Sequence, residues 1–444
     1  MTVCSFHDLS TLSDQGRAQL MVRSEVDLDA VLTTVRPILE AVRQEGDAAL
    51  VRLGRELDGA TVTAGSLRAS DAEFEQAFAS IDPAVLDAIR FAIGNIRTFH
   101  EEQRPEPMWL KEVRPGAFAG DRWTPLASVA LYVPRGKGAF PSVTMMTAVP
   151  AAVAAVPRIA ILTPPTPQGG VDGATLVAAR LAGVTEVFKC GGAQAVAAAA
   201  YGTQTVPRAV KIVGPGSPFV VAAKRLLSGT IDTGLPAGPS EAIILADDTV
   251  GGALAALDLL IEAEHGPDSS AYLVTHSRRV AEEAMAALPG HWAGMTDNRV
   301  AFSRAVLTGR HGGVVLTRDL EDTYRFVNEY APEHLEILST DPFSHLGRIT
   351  EAAEILMGPH TPITLGNFVL GPNAVLPTSR WARSFGPLSV TDFMKRSSVG
   401  YVTAPAYPEL ARHARVLADY EGFSSHARSV SEVREPLLAA PRRG

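Results

Sequence analysis

Residues 242–274 read AIILADDTVGGALAALDLLIEAEHGPDSSAYLV. The run Ala242–Leu245 is short and apolar, as a buried strand is. The segment Ala253–Glu264 is rich in Ala and Leu and long enough for a helix. Gly266-Pro267 stops it, and a second apolar run, Ala271–Val274, follows. A strand, a helix and a strand in that order imply a parallel sheet faced by helices.

The alternation extends outward on both sides. Upstream, strands are expected at Val129–Val133, Ile159–Leu162, Val184–Phe188 and Val210–Val213, with helices at Gly192–Ala200 and Phe219–Leu227. Downstream, strands are expected at Val314–Leu316, Leu335–Leu338 and Ile355–Met357, with helices at Arg278–Leu288 and Leu320–Tyr330. The count predicts two parallel sheets and hence two α/β domains. The first third reads as helical. Ser24 can cap a helix carrying Leu28, Val31, Leu32, Val35, Ile38 and Leu39 at helical spacing, with Pro37 expected to kink it or end it early. Asp82-Pro83 opens another, with Leu86, Ile89, Ile93 and Ile96 on one face. Beyond Val390 the sequence reads as charged and helical, with Leu410, Ala414 and Leu417 as one stripe. The expected division is a helical region at 1–125, α/β domains at 126–239 and 240–375, and a helical region at 376–444.

The chain has 444 residues, 46% of them hydrophobic, which is ample for a buried core. Its formal net charge is -8, no Lys/Arg block is present, and aromatics are 6%, so a nucleic-acid partner is not expected. Two cysteines, Cys4 and Cys190, exclude a disulfide scaffold and suit a reducing compartment. The opening MTVCSFHDLS does not read as a secretory signal. The most apolar stretch, Ala148 to Val156, is broken by Pro150 and falls short of the about 20 residues that span a membrane. A soluble, cytoplasmic protein with no membrane partner is expected.

Glycine-rich turns stand where strands are expected to end, at Cys190-Gly-Gly-Ala-Gln, Gly214-Pro-Gly-Ser-Pro and Pro236-Ala-Gly-Pro-Ser. Such turns let a ligand approach backbone at the carboxyl ends of strands, and they also occur as ordinary turns. No Gly-x-Gly-x-x-Gly fingerprint is present. Three further segments carry acids and bases together. Glu262 and His265, three apart at a helix end, face one way; they are half of a metal site or an ordinary helix-terminal histidine favoured by the dipole. Glu333-His334, after Tyr330-Ala-Pro, is an adjacent acid and base suited to two proton transfers, or a solvated pair. Glu421 and His426 stand close together late in the chain, where a lone histidine is usually structural. The remaining histidines have no matching partners.

These segments, in this order, resemble the histidinol dehydrogenases. The matching motifs are Leu131-Tyr-Val-Pro, Gly191-Gly-Ala-Gln-Ala, Gly214-Pro-Gly, Ala237-Gly-Pro-Ser-Glu, Ala263-Glu-His-Gly-Pro-Asp-Ser, Tyr330-Ala-Pro-Glu-His-Leu, Asn373-Ala-Val-Leu-Pro-Thr and the Glu421/His426 pair. They run from about residue 125 to 430. The resemblance implies a homodimer with two incomplete Rossmann-like domains and helical appendages, one Zn2+ per site, and NAD used twice to take an alcohol through the aldehyde to the acid. It implies that Glu333 activates water and His334 takes protons. It places His265 and His426 on the metal, Ser240 and Glu421 on the substrate, and Tyr132 and Gln194 on the nucleotide.

The chain departs from the family at several of these places. Glu262 stands where the family has Gln, and Asn367 where it has a zinc-binding Asp. The two changes preserve formal charge, so the expectation is a metal set of Glu262, His265, Asn367 and His426 with its carboxylate moved across the ion; the alternative is a site that has lost its metal. Ala374 replaces a histidine on the substrate side, and Ser217 replaces an Asn near the nucleotide. Arg135 and Lys137 enter a loop usually built from glycine, where they can meet an anionic substrate group, the cofactor phosphates or water. Three functions stay open: a histidinol dehydrogenase, a paralogue oxidising another, anionic alcohol, and a catalytically silent ligand-binding homologue.

Overall fold

The computed structural model describes residues 3–23, 28–135 and 138–439. The capping role expected of Ser24 and the role of Lys137 lie outside the described residues. Thirteen strands follow in chain order. They are β1 (Phe6–Asp8), β2 (Met108–Arg114), β3 (Ala117–Pro125), β4 (Val129–Tyr132), β5 (Ile159–Thr163), β6 (Glu186–Lys189), β7 (Lys211–Val213), β8 (Glu241–Ala246), β9 (Ser270–Thr275), β10 (Gly312–Leu316), β11 (His334–Leu338), β12 (Glu354–Met357) and β13 (Met394–Val402).

Two parallel sheets form as the alternation predicts. The first has the order β6-β5-β4-β7 and the second β1-β10-β9-β8-β11-β12. Their strands are buried along almost their whole length, which is why they read as unbroken apolar runs. The first sheet packs on the helices Leu28–Glu45, Gly192–Tyr201 and Pro218–Leu227 through Val35, Leu39, Val196 and Val220. The second packs on the helix Gly252–Ala263 through Ala255, Ala256, Leu259 and Leu260 on one face. Phe326 and Tyr330 of the helix Leu320–Tyr330 cover its other face, where they meet Tyr272 of β9. The helix Leu28–Glu45 runs through Pro37 without ending. Asp82 caps the helix Pro83–Glu102 by accepting from Ala84 N–H, with Pro83 in the first turn.

The chain divides into two compact units: Met1–Arg104 with Leu126–Phe393, and Pro105–Pro125 with Met394–Gly444. Both parallel sheets belong to the first. The second holds a three-stranded antiparallel sheet, β13-β3-β2, and three helices from Tyr407 onward.

This second unit corrects the expectation of wholly helical flanks, because β2, β3 and β13 all lie within them. β13 also opens the segment beyond Val390 that reads as helical. The stripe on the helix Tyr407–Tyr420 is not a buried one: Leu410 is half-buried and Ala414 and Leu417 are exposed. The turn Pro236-Ala-Gly-Pro-Ser does not end a strand; it precedes β8. Among the described residues no helix is long and apolar enough to cross a membrane.

Candidate functional site

The carboxyl ends of the first sheet gather the expected nucleotide contacts. Tyr132, the last residue of β4, is buried, and its hydroxyl accepts from Gly192 N–H at 3.1 Å. Gly192 opens the helix that follows β6, and Gln194 sits in its first turn, almost wholly buried. Gln194 donates through Nε2 to Asp58 at 3.2 Å, while its Oε1 is buried with no partner. Burial pushes the Asp58 carboxyl up to about 6 against the pull of Gln194 and Arg135.

After β7, Gly214 takes φ +117°, and an added Cβ would lie 2.1 Å from the Tyr132 carbonyl oxygen. Only glycine lets the two strand ends approach so closely. Lys224 donates to the Gly214 carbonyl at 2.7 Å and pins this loop from the helix behind it. Ser217 is exposed at the start of that helix. Arg135 is exposed and reaches the Pro165 carbonyl.

The second sheet gathers its acids and bases at the opposite, amino ends. There the helix Gly252–Ala263 finishes and strands β8, β9, β11 and β12 begin. Ala331 ends the preceding helix in the left-handed region, and Glu333-His334 then enters β11. Both side chains are buried, so the solvated-pair reading does not hold. Glu333 accepts from the backbone N–H of Glu241 at 2.8 Å. Burial, with the Glu262 and Glu241 carboxylates behind it, pushes the Glu333 carboxyl up to about 8 against the opposing pull of His334. Burial pulls His334 down, but the hydrogen bond to Glu354 and the charges of Glu262 and Glu333 carry it up to about 10.

Glu262 is buried at the end of its helix. One carboxylate oxygen accepts from Asn367 Nδ2 at 2.8 Å, and the other lies 2.9 Å from His265 Nδ1. Burial would push Glu262 up, but the facing His265 holds it down to about 2. In return Glu262 raises His265 to about 9. His265 Nδ1 is buried and makes no aligned hydrogen bond. The imidazole, the carboxylate it pairs with and the Asn367 amide oxygen are donors of a kind that a divalent cation accepts. No group of three or more His, Cys, Asp or Glu side chains able to hold a metal occurs among the described residues. Within the first unit the expected set supplies one carboxylate, one imidazole and one amide. Ser240 is half-buried just before β8, and its carbonyl accepts from Ser270 N–H. Glu421 and His426 belong to the second unit, where both are exposed.

Several residues that sequence reasoning passed over complete this layer. Arg23 is buried, lies over the Tyr330 ring and faces Glu241 at 2.9 Å. Glu354 accepts from His334. Asp258 and Glu336 are buried acids that burial raises; Asp258 raises Glu336 further, while the hydrogen bond from Glu336 pulls Asp258 down. Asp258 precedes Glu262 by four residues, a helical spacing that was available as a signal. The others meet only through tertiary structure.

A family model described as "Histidinol dehydrogenase" matches residues 21–434. The chain is 72% identical over 439 residues to a protein named "Histidinol dehydrogenase homolog 2" from Mesorhizobium japonicum, covering 99% of this chain and 100% of that one. It is 49% identical over 430 residues to a "Histidinol dehydrogenase" from Synechocystis sp., covering 97% and 99%. A crystal structure of histidinol dehydrogenase from Elizabethkingia anophelis superposes with a TM-score of 0.91 at 28% identity, covering 99% of this chain and 100% of that one.

Proposed function

The chain belongs to the histidinol dehydrogenase family, whose members are NAD-dependent oxidoreductases acting on CH–OH groups, and from that premise we propose that it oxidises a polar primary alcohol through the aldehyde to the carboxylic acid. The observation that carries this reading is the buried pair Glu333-His334, packed beside Glu262. Hydride transfer to NAD requires removal of the alcohol proton, and oxidation of the hydrated aldehyde requires an activated water. A buried carboxyl poised near 8 supplies one base; His334, whose proton affinity its acidic neighbours raise to about 10, takes protons once it has given up its own. Tyr132, Gln194 and Ser217 are assigned to the nucleotide, and Ser240, Glu421 and Arg135 to the substrate. A zinc ion held by Glu262, His265, the amide oxygen of Asn367 and His426 would hold and polarise the alcohol oxygen. The domain division at 125, 239 and 375 is retained as part of this reading.

A second reading of the substrate rests on two positions. Arg135 is an exposed guanidinium beside the nucleotide contacts, and Ala374 is a half-buried methyl beside Asn373. Together they favour an alcohol bearing an anionic group over L-histidinol. The retained acid–base pair argues against a catalytically silent protein.

The second unit exposes Trp109, Leu110, Tyr401, Val416, Leu417 and Tyr420, a large apolar surface for so small a unit. A second copy of the chain, making a homodimer, is the reading that covers it. Free, buried Cys4 and Cys190 suit the cytoplasm.

The test is NADH formation by zinc-loaded enzyme, counted per alcohol consumed. Two NADH per L-histidinol supports the family reaction itself. No turnover of L-histidinol, with turnover of an acidic polyol or amino alcohol, supports the second substrate reading. Turnover that survives both Glu333→Gln and His334→Gln overturns the mechanism.

A further inference from the structure

β11 and β12 run parallel, and their register sets His334 opposite Glu354. The Glu354 N–H also donates to the Glu333 carbonyl at 3.1 Å, so one strand pairing fixes the backbone of all three residues. His334 Nδ1 donates to Glu354 Oε2 at 2.7 Å, with both side chains buried. The other oxygen, Glu354 Oε1, is buried without a partner. Gly366 makes room for the carboxylate: an added Cβ there would lie 2.9 Å from Oε1 and 3.2 Å from Oε2. A buried carboxylate with one oxygen unpaired is costly, and an apolar side chain at this edge position would avoid that cost.

We propose that Glu354 is a positioning residue for the oxidation, holding the proton of His334 on Nδ1 so that Nε2 is the nitrogen that exchanges protons with substrate. His334 Nε2 lies 4.0 Å from Glu333 Oε1, on the side of the acid–base pair. A carboxylate that fixes an imidazole's tautomer and ring orientation sets which nitrogen reacts. This inference rests on the assignment of His334 to proton transfer.

The test uses the full chain labelled with 15N-histidine, with the His334 signals assigned by their loss in His334→Gln. Recorded on the neutral form of the ring, wild type is expected to show a protonated Nδ1. In Glu354→Ala, and in Gly366→Ala where the carboxylate is crowded but present, the proton moves to Nε2. An unchanged Nδ1 signal in both variants overturns the proposal, whether or not L-histidinol is turned over. In NADH formation from whichever alcohol wild type oxidises, Glu354→Ala should lower kcat about 10- to 100-fold with KM little changed. Added formate, which fits the space that the truncated side chain vacates, should restore part of the lost kcat. A kcat within twofold of wild type overturns the proposal. If His334→Gln is inactive while Glu354→Ala is normal, this inference alone falls. If His334→Gln turns over normally, the functional reading falls with it.

Discussion

Asn367 donates its side-chain amide to Glu262 at 2.8 Å, and His265 stands 2.9 Å from the other oxygen of the same carboxylate. One negative charge thus sits between an amide and an imidazole. Two residues far apart in sequence, each departing from the family pattern, form a direct pair in space.

That pairing predicts compensation. Glu262→Gln alone removes the only carboxylate of the set and should abolish zinc retention. Asn367→Asp alone places a second carboxylate against Glu262 and should destabilise the metal-free protein. The double variant restores a single charge on the opposite side of the ion and should retain zinc near one per subunit. Elemental analysis after dialysis, with melting temperature recorded alongside, checks all three. Zinc content that is the same in every variant would show that this pair does not hold the metal.

Glu333 predicts a pH dependence with a definite sign. Burial raises its carboxyl from the ordinary 4.5 to about 8, so the carboxylate needed as a base forms only as pH rises through that value. Turnover should climb with pH toward a plateau above about 8, and Glu333→Gln should lose at least about 100-fold and the limb with it. Stability runs the other way. The folded state binds the proton more tightly than the unfolded chain, so the stability due to this group is present below 4.5 and is lost as pH rises to about 8. The melting temperature of Glu333→Gln should therefore overtake that of wild type on the alkaline side. A wild-type pH–rate profile flat from 6 to 9 would remove Glu333 from the base role.

What could be read from sequence divides along physical lines. The strands of the two parallel sheets from β4 to β12 are legible because both their faces are buried, which leaves unbroken apolar runs. β2 and β13 are not, because in this chain they are exposed along most of their length and pair with β3 through contacts distant in sequence. Glu262 and His265 are legible as a pair because helical spacing puts them on one face. Glu354 is not, since it meets His334 only through the register of β11 on β12. Arg23 is equally silent: it is one of many arginines until the fold carries it onto Tyr330 and Glu241.

That buried pair gives a further prediction. Arg23 and Glu241 are both about 5% exposed and lie 2.9 Å apart. Arg23→Ala leaves the Glu241 carboxylate buried without its cation, and breaking such a pair costs about 3–5 kcal/mol. Because the Glu241 N–H also holds Glu333, turnover should fall with stability. Chemical denaturation at pH 7 measures the first effect and NADH formation the second. A loss below about 1 kcal/mol would place the pair with surface bridges.

Gly214 links the fold to the nucleotide site proposed above. Its φ of +117° belongs to glycine, and its missing Cβ is the space occupied by the Tyr132 carbonyl. Gly214→Ala must break this approach, displacing the loop that carries Ser217 and disturbing the end of β4, where Tyr132 sits. Backbone strain of this kind costs about 1–3 kcal/mol, and the displaced loop should weaken NAD binding at least about tenfold. Gly229 is the control, since a Cβ there meets nothing within 4 Å; Gly229→Ala should stay within about 0.5 kcal/mol of wild type and keep its NAD affinity. Titration of each variant with NAD, followed by protein fluorescence, separates the two cases. Wild-type affinity in a folded Gly214→Ala would show that the cofactor does not rest on this loop, and Tyr132, Gln194 and Ser217 would lose their assignment together.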